Sequence, residues 1–350
     1  MPAPSSLTLN YDGLLSSTLF NYRKKFEDNI STANAFFHKI KKNGGYKTLG
    51  SIGERMAMPL MYELGSADSY SGYDQLDVTP MEGFTTAFFE WRQASIPISI
   101  SGREERINKG EEQIVNLLEG KVKQAELGIQ EFFNKKLLQG NGGTSITTPY
   151  TSSRNGSVFV DPLALQVAYD PTAALSPGNI SQLTYTWWRN QFKNSGATTY
   201  AAWKKELIQL RNNCSKGPGG VPDLYLSDQH TYELYNAALA AAHQNPSYQS
   251  ADIPFENVAF FGKPWTWDEF VPDAANGSVT QSTSSGTLYM LNTKFWGVKV
   301  DASCNFSTGP FVKPENQDAK TAQILWMGGV GVSNRRKQGV MGSIDTTITS

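Results

Sequence analysis

The spacing of apolar and polar positions changes along the chain, and each change predicts an element. Ala94-Ser-Ile-Pro-Ile-Ser-Ile100 alternates strictly, the mark of a strand with two unlike faces. Arg55-Met-Ala-Met-Pro-Leu-Met-Tyr62 and Thr85-Thr-Ala-Phe-Phe-Glu-Trp91 are further strand-forming runs. Between them lies Gly65-Ser-Ala-Asp-Ser-Tyr-Ser-Gly-Tyr73, a tip with turn chemistry and almost no core-forming side chains. The pattern predicts a projecting hairpin. Pro59 and Pro97 cannot donate to a ladder, so both belong on edge strands or bulges. A two-stranded ribbon is marginal alone in water, and this one is expected to gain its stability from sister molecules rather than from its own body.

From Ser101 the spacing becomes three and four. Ser101-Gly-Arg-Glu104 has the S-x-x-E form of a capping box. Ile107, Ile114, Leu118, Val122, Ala125, Ile129, Phe132 and Leu137 then form one apolar stripe, with Glu111, Glu112, Lys121, Lys123, Glu131 and Lys135 on other faces. This predicts a single helix from 104 to 139, roughly 50 Å long, closed by Gln139-Gly-Asn-Gly-Gly143.

Residues 143–180 are rich in Ser, Thr, Pro and Gly and read as a connection. Residues 181–293 read as a mixed α/β unit: helices near 199–214 and 228–243, and strands at 223–226, 258–267 and 287–292. Strand character returns at Phe295–Val300, at Thr321–Met327 and through the Gly-rich Gly328–Ser333. Residues 1–46 begin polar and carry Arg23, Lys24, Lys25, Lys39, Lys41 and Lys42 among aromatics, up to the breaker Asn43-Gly44-Gly45. They read as an arm with some helix, either a solvated amphipathic face or a basic surface turned toward nucleic acid.

Composition narrows the class. With 39% hydrophobic residues and eight Trp the chain is expected to be ordered, with disorder confined to its ends. A net charge of -1 gives no whole-molecule field for nucleic acid or anionic membrane, so contact with nucleic acid must be local. No run approaches the roughly 20 apolar residues of a membrane span. Cys214 and Cys304 stand far apart and His38, His230 and His243 are scattered, so neither a disulfide framework nor a zinc site is expected. No G-x-S-x-G, H-E-x-x-H or phosphate-cradling G-x-x-x-x-G-K-[ST] occurs. The clusters Gly217–Gly220 and Gly328–Gly331 lack the lysine and hydroxyl that such a cradle needs and read as turn or bulge material. Near His230, Ser227 or Asp228 reads as a helix N-cap.

Local wording adds to these patterns. Gly72-Tyr-Asp-Gln-Leu-Asp-Val-Thr-Pro80, Thr86-Ala-Phe-Phe-Glu-Trp-Arg-Gln93, Ile96-Pro-Ile-Ser-Ile-Ser101, Asn108-Lys-Gly110, Phe260-Phe-Gly-Lys-Pro-Trp-Thr-Trp-Asp268, Tyr289-Met-Leu-Asn-Thr293 and Ser333-Asn-Arg-Arg-Lys-Gln-Gly-Val340 follow one another over nearly the whole chain. In that order they resemble the major capsid proteins of tailed bacteriophages, with the HK97-like fold. The resemblance implies an α+β fold of six parts. These are an N-terminal arm (1–46), an extended β-hairpin E-loop (47–101), the spine helix of a P-domain (102–142), a connection (143–180), a mixed α/β A-domain (181–293), and P-domain closing strands with the C-terminus (294–350).

It implies a structural subunit without catalytic residues, cofactor or metal. Pentamers and hexamers of the chain would close an icosahedral head around double-stranded DNA, in a virion assembled in the host bacterial cytoplasm. Implied partners are further copies, scaffolding, portal and decoration proteins, and the DNA through weak non-specific contact, with no membrane. Gly65, Tyr70, Tyr73, Asp74, Phe88, Trp91 and Arg92 would make inter-subunit contacts. Ile107, Ile114, Leu118, Val122, Ile129 and Phe132 would form the spine-helix core, and the basic arm would face DNA. No lysine lies between Thr48 and Gly102, so the lysine–asparagine weld of some relatives is not expected. No acidic helical extension precedes the arm, which suggests a separate scaffolding protein or a residue 1 near the mature start. Rival readings are an encapsulin-type nanocompartment shell, a hydrolase whose hairpin is a lid, and a phage tail or decoration protein.

Overall fold

The computed structural model describes residues 34–50, 53–65, 67–75, 79, 82–107, 111–241 and 258–348, with backbone alone at 105–107, 111–119, 144, 240 and 241. Two sheets, one long helix and a separate ribbon make up the body. The first sheet has five strands. Ala319–Val332 is its axis: residues 319–328 pair antiparallel with Arg92–Ser101, and residues 328–332 with Trp296–Asp301. Ser307–Thr308 pairs beside residues 324–325, and Tyr46–Leu49 adds in parallel to Trp296–Asp301. Pro97 lies opposite Gln323 on a strand with one ladder partner, where its missing N–H faces no neighbour.

The capping box forms as its spacing predicts. Glu104 N donates to Ser101 Oγ at 3.2 Å, and Ser101 N donates to Glu104 Oε2 at 3.1 Å. Helical backbone occupies Gly102–Ile107 and the 29 residues Glu111–Gln139, the latter about 43 Å long. Val122, Ala125, Ile129, Phe133 and Leu137 share a core with Ile98, Ala322, Ile324 and Trp326 of the sheet. Phe133 meets Trp326 edge to face at 4.7 Å. The stripe holds at Val122, Ala125, Ile129 and Leu137 and departs from expectation at one position, for Phe133 is fully buried whereas Phe132 is half-buried against Tyr150 and Phe159.

The second sheet has six strands, in the order Gln191–Asn194, Gly339–Ile344, Gly286–Leu291, Leu224–Ser227, Lys263–Trp267, Val258–Phe260. Its middle strands are buried without alternation, because side chains are enclosed on both faces. Helix Tyr200–Ser215 contributes Trp203, Leu207, Leu210 and Cys214 to this second core, and helix Gln229–Ala241 contributes Tyr232, Leu234, Tyr235 and Ala238. Asp228 caps the latter helix: its carboxylate accepts from Thr231 Oγ1 at 2.5 Å and from Thr287 N of the neighbouring strand at 2.8 Å.

Four expectations are corrected here. Residues 258–267 are not one strand but a hairpin turning at Phe261-Gly262, both at positive φ. Gly339–Ile344, expected among the closing strands, is an interior strand of the six-stranded sheet. Residues 143–180 are more than a connection, since Phe159, Val160, Leu163 and Val167 plug the first core. The end of the arm, from Asn34, belongs to the body. Helix Ala35–Lys42 buries Phe36 and Ile40 completely and is tied at its far end, where Asn43 Nδ2 donates to Asp223 Oδ2 at 2.7 Å. Of the two readings of Gly328–Gly331, strand character holds and turn material does not, and its use of glycine is steric.

Candidate assembly surfaces

The expected hairpin exists but is shorter than 47–101, because strands 46–49 and 92–101 belong to the five-stranded sheet. Met56–Met61 pairs antiparallel with Phe84–Phe89 as a two-stranded ribbon. Alternation divides it into two faces. Met56, Met58, Leu60, Ala87 and Phe89 point inward and pack with Ile180 and Trp188 of the same chain. This corrects the expectation that the ribbon rests on sister molecules rather than on its own body, for one face rests on its own chain.

Glycines provide the seat. A Cβ on Gly331 would stand 2.6 Å from Phe89 Cδ2 and 2.9 Å from Met56 Cε, and one on Gly297 would stand 2.7 Å from Met58 Cε. A Gly331→Val variant should therefore lift the base of the ribbon at a cost of about 1–3 kcal/mol. Amide exchange at 56–61 and 84–89 would accelerate while that at 286–291 would not, and unchanged exchange in the ribbon would refute the seat.

The other face and the tip expose large apolar side chains. Met61 is 60% exposed, Phe84 79%, Tyr70 70% and Tyr73 106%. Phe88 is partly exposed on this outer face, and Gly65 and Asp74 are exposed at the tip. Trp91 and Arg92 lie instead at the base, on the sheet side. Trp91 Nε1 donates to the Gly53 carbonyl at 2.9 Å, and Arg92 pairs with Gly328. Beside Arg92, burial pushes the Asp161 carboxyl up to about 6, although the guanidinium pulls it the other way. An Arg55–Glu90 ion pair at 3.1 Å closes the base.

Of the expected helix core, Val122 and Ile129 are 1% and 2% exposed. The side chains of Ile107, Ile114 and Leu118 lie outside the described residues. So do Arg23, Lys24 and Lys25 of the arm, whereas Lys39, Lys41 and Lys42 sit in the last turn of helix Ala35–Lys42, where cations complement the helix dipole.

Two cations that sequence reasoning missed are structural. Arg335 is fully buried and donates to the carbonyls of Gln166 and Trp188, to Gln182 Oε1 and to Asn190 Oδ1, at 2.6–3.2 Å. Burial pushes it down to about 9, which leaves it protonated at neutral pH. Lys337 Nζ donates to the carbonyls of Ser215, Lys216 and Gly217, closing the C-terminal end of helix Tyr200–Ser215. The signal that could have found them is their setting, Ser333-Asn-Arg-Arg-Lys-Gln338, a basic run between two strands. Among the described residues no group of three His, Cys, Asp or Glu could hold a metal ion, and no helix is long and apolar enough to cross a membrane.

No family model matches the sequence, and no curated protein does. Solved structures do. The capsid asymmetric unit of cyanophage A-1(L) superposes with a TM-score of 0.56 over 85% of this chain and 90% of its own, at 12% identity. A capsid chain of the native GTA particle gives 0.54 over 87% and 89%, at 10% identity. The holo-SrpI encapsulin of Synechococcus elongatus PCC 7942 gives 0.50 over 80% and 94%, at 10% identity. The fold is thus one used by shell-forming proteins. More narrowly, it is the phage major capsid protein fold, an α+β architecture consistent with the HK97-like class.

Proposed function

We propose that this chain is the structural subunit of an icosahedral phage head, joining copies of itself as pentamers and hexamers around double-stranded DNA. The observation that supports this most is a ribbon with one seated face and one open apolar face, on a fold shared with capsid chains over 85% of the sequence. In this reading the ribbon Met56–Phe89 is the E-loop and reaches a neighbour. The helix Glu111–Gln139 with the five-stranded sheet is the P-domain, and the six-stranded sheet with its helices is the A-domain. Lys39, Lys41 and Lys42 give the shell weak contact with packaged DNA, and scaffolding, portal and decoration proteins are its further partners. The chain has no catalytic role and works in the virion after assembly in the host cytoplasm.

Electron microscopy of the purified chain tests the reading directly, with closed shells expected; tubes, trimers or a lasting monomer would reject it. Deleting residues 66–71 should leave the monomer's melting temperature unchanged and abolish shells, because residues 67–71 are all exposed. The encapsulin likeness supports a second reading, a nanocompartment shell. Particles filled with an enzyme rather than DNA would favour it. In either case, with no lysine on the ribbon, boiled and reduced particles should run as a single band near the 38.6 kDa of the chain, not as a ladder.

A further inference from the structure

Charge is divided unevenly over the chain. The ribbon Met56–Phe89 carries Glu63, Asp68, Asp74, Asp77 and Glu82 and no Lys, Arg or His. The rest therefore holds 31 basic residues against the remaining 27 acidic ones, out of 32. Residues 171–222 alone account for more than that excess, with Arg189, Lys193, Lys204, Lys205, Arg211 and Lys216 against Glu206 as the one carboxylate. This segment supplies the edge strand Gln191–Asn194 and the helix Tyr200–Ser215, against which the turn Arg335–Lys337 packs. Lys205, Lys216 and Arg336 are exposed on it.

Apolar exposure follows the same division. The acidic ribbon and its tip expose Leu64, Tyr70, Tyr73 and Phe84, and the basic segment exposes Leu183, Tyr185, Phe192 and Ile208. Trp187, Lys216, Pro218 and Arg336 form one wall of a cleft on that basic face, and residues 60–64 of the chain's own ribbon form the other. The end of the ribbon strand meets its own chain there, Tyr62 stacking on Trp187 at 4.9 Å, whereas farther out Tyr70 and Tyr73 stand 70% and 106% exposed and are open to a second copy. The two segments are opposite in sign and similar in size of formal charge, and both expose apolar side chains, on a chain whose total is -1. A second copy offers each surface its complement.

We propose that the acidic ribbon tip of one copy docks on the basic face of a second copy, formed by helix Tyr200–Ser215 and the turn Arg335–Lys337. The pairing rests on the shell reading and names the surfaces that carry it. It is heterologous, joining unlike patches, and so it propagates from copy to copy into rings or closed shells. Opposed charge sets register and speeds encounter, and salt weakens it within a Debye length of about 10 Å at 0.1 M.

Charge reversal on each side separately, then on both, tests the pairing. Asp68→Lys/Asp74→Lys on the tip and Lys205→Glu/Lys216→Glu/Arg336→Glu on the body should each lower particle yield at least tenfold in sedimentation of the full chain. Thermal midpoints should stay unchanged, all five positions being exposed. The combined variant should recover shells, and the neutral Asp68→Asn/Asp74→Asn should fall between. Yield of the unaltered chain should also drop between 0.05 and 0.5 M salt. Shells formed at full yield by either single-sided variant would overturn the pairing while leaving the shell reading intact. Body-side variants that assemble normally but enclose less DNA would overturn it in favour of nucleic acid as the occupant of the basic face. An unaltered chain that forms no particles at any salt removes the shell reading, and the pairing with it.

Discussion

An Ile129→Asp variant should yield no folded protein. Ile129 is 2% exposed on the long helix, inside the core that joins helix to sheet. A carboxylate there would have no cation or donor to satisfy it, and an unpaired buried charge is among the most destabilising single changes known. Ile129→Val, which removes one methylene, should cost only about 1 kcal/mol. Two residues earlier on the same helix, Leu127 is 56% exposed, and Leu127→Asp should change stability by no more than about 0.5 kcal/mol. Soluble yield and urea unfolding of the three variants would check the set. A cooperative transition for Ile129→Asp close to that of the unaltered chain would show that this helix face is not the core.

The second large effect is expected at Arg335. Arg335→Met preserves much of the volume but strips donors from the Gln166 and Trp188 carbonyls, from Gln182 and from Asn190, all enclosed. Removing one side of a buried polar assembly costs about 3–5 kcal/mol, so the unfolding midpoint should fall steeply. Arg336→Met, at the exposed neighbouring position, should leave the midpoint within about 0.5 kcal/mol of the original. Equal effects at the two positions would refute the structural role of Arg335.

What was legible in the sequence was local. The capping box Ser101–Glu104, the alternation of 94–100, the helix around Trp203, Leu207 and Leu210, and the ribbon strands all express interactions between residues close in sequence or within one element. What was not legible depends on distant partners. Whether Phe132 or Phe133 centres the helix stripe is decided by Trp326, nearly two hundred residues away, since both aromatics lie within one helical turn of the seam. The Ser- and Thr-rich stretch 143–180 hides Phe159 and Leu163, whose burial depends on the space left between helix and sheet. A triple of cations normally reads as a solvated face, and only the surrounding carbonyls turn Arg335 and Lys337 inward. At Gly328–Gly331 the sequence admits both strand and turn, because glycine most often signals backbone freedom; here the missing side chains make room for Met56 and Phe89.

The placement of Gly339–Ile344 affects the order in which the chain can fold. This strand fills the slot between Gln191–Asn194 and Gly286–Leu291, so the larger sheet stays split until residue 344 has left the ribosome. The smaller sheet waits likewise for Ala319–Val332, its axis. Neither sheet can be completed on a nascent fragment that lacks these strands, although strands 224–227, 258–260, 263–267 and 286–291 pair with one another without residues 339–344. Polypeptides broken off before residue 339 lack a finished layer and leave apolar strand edges open.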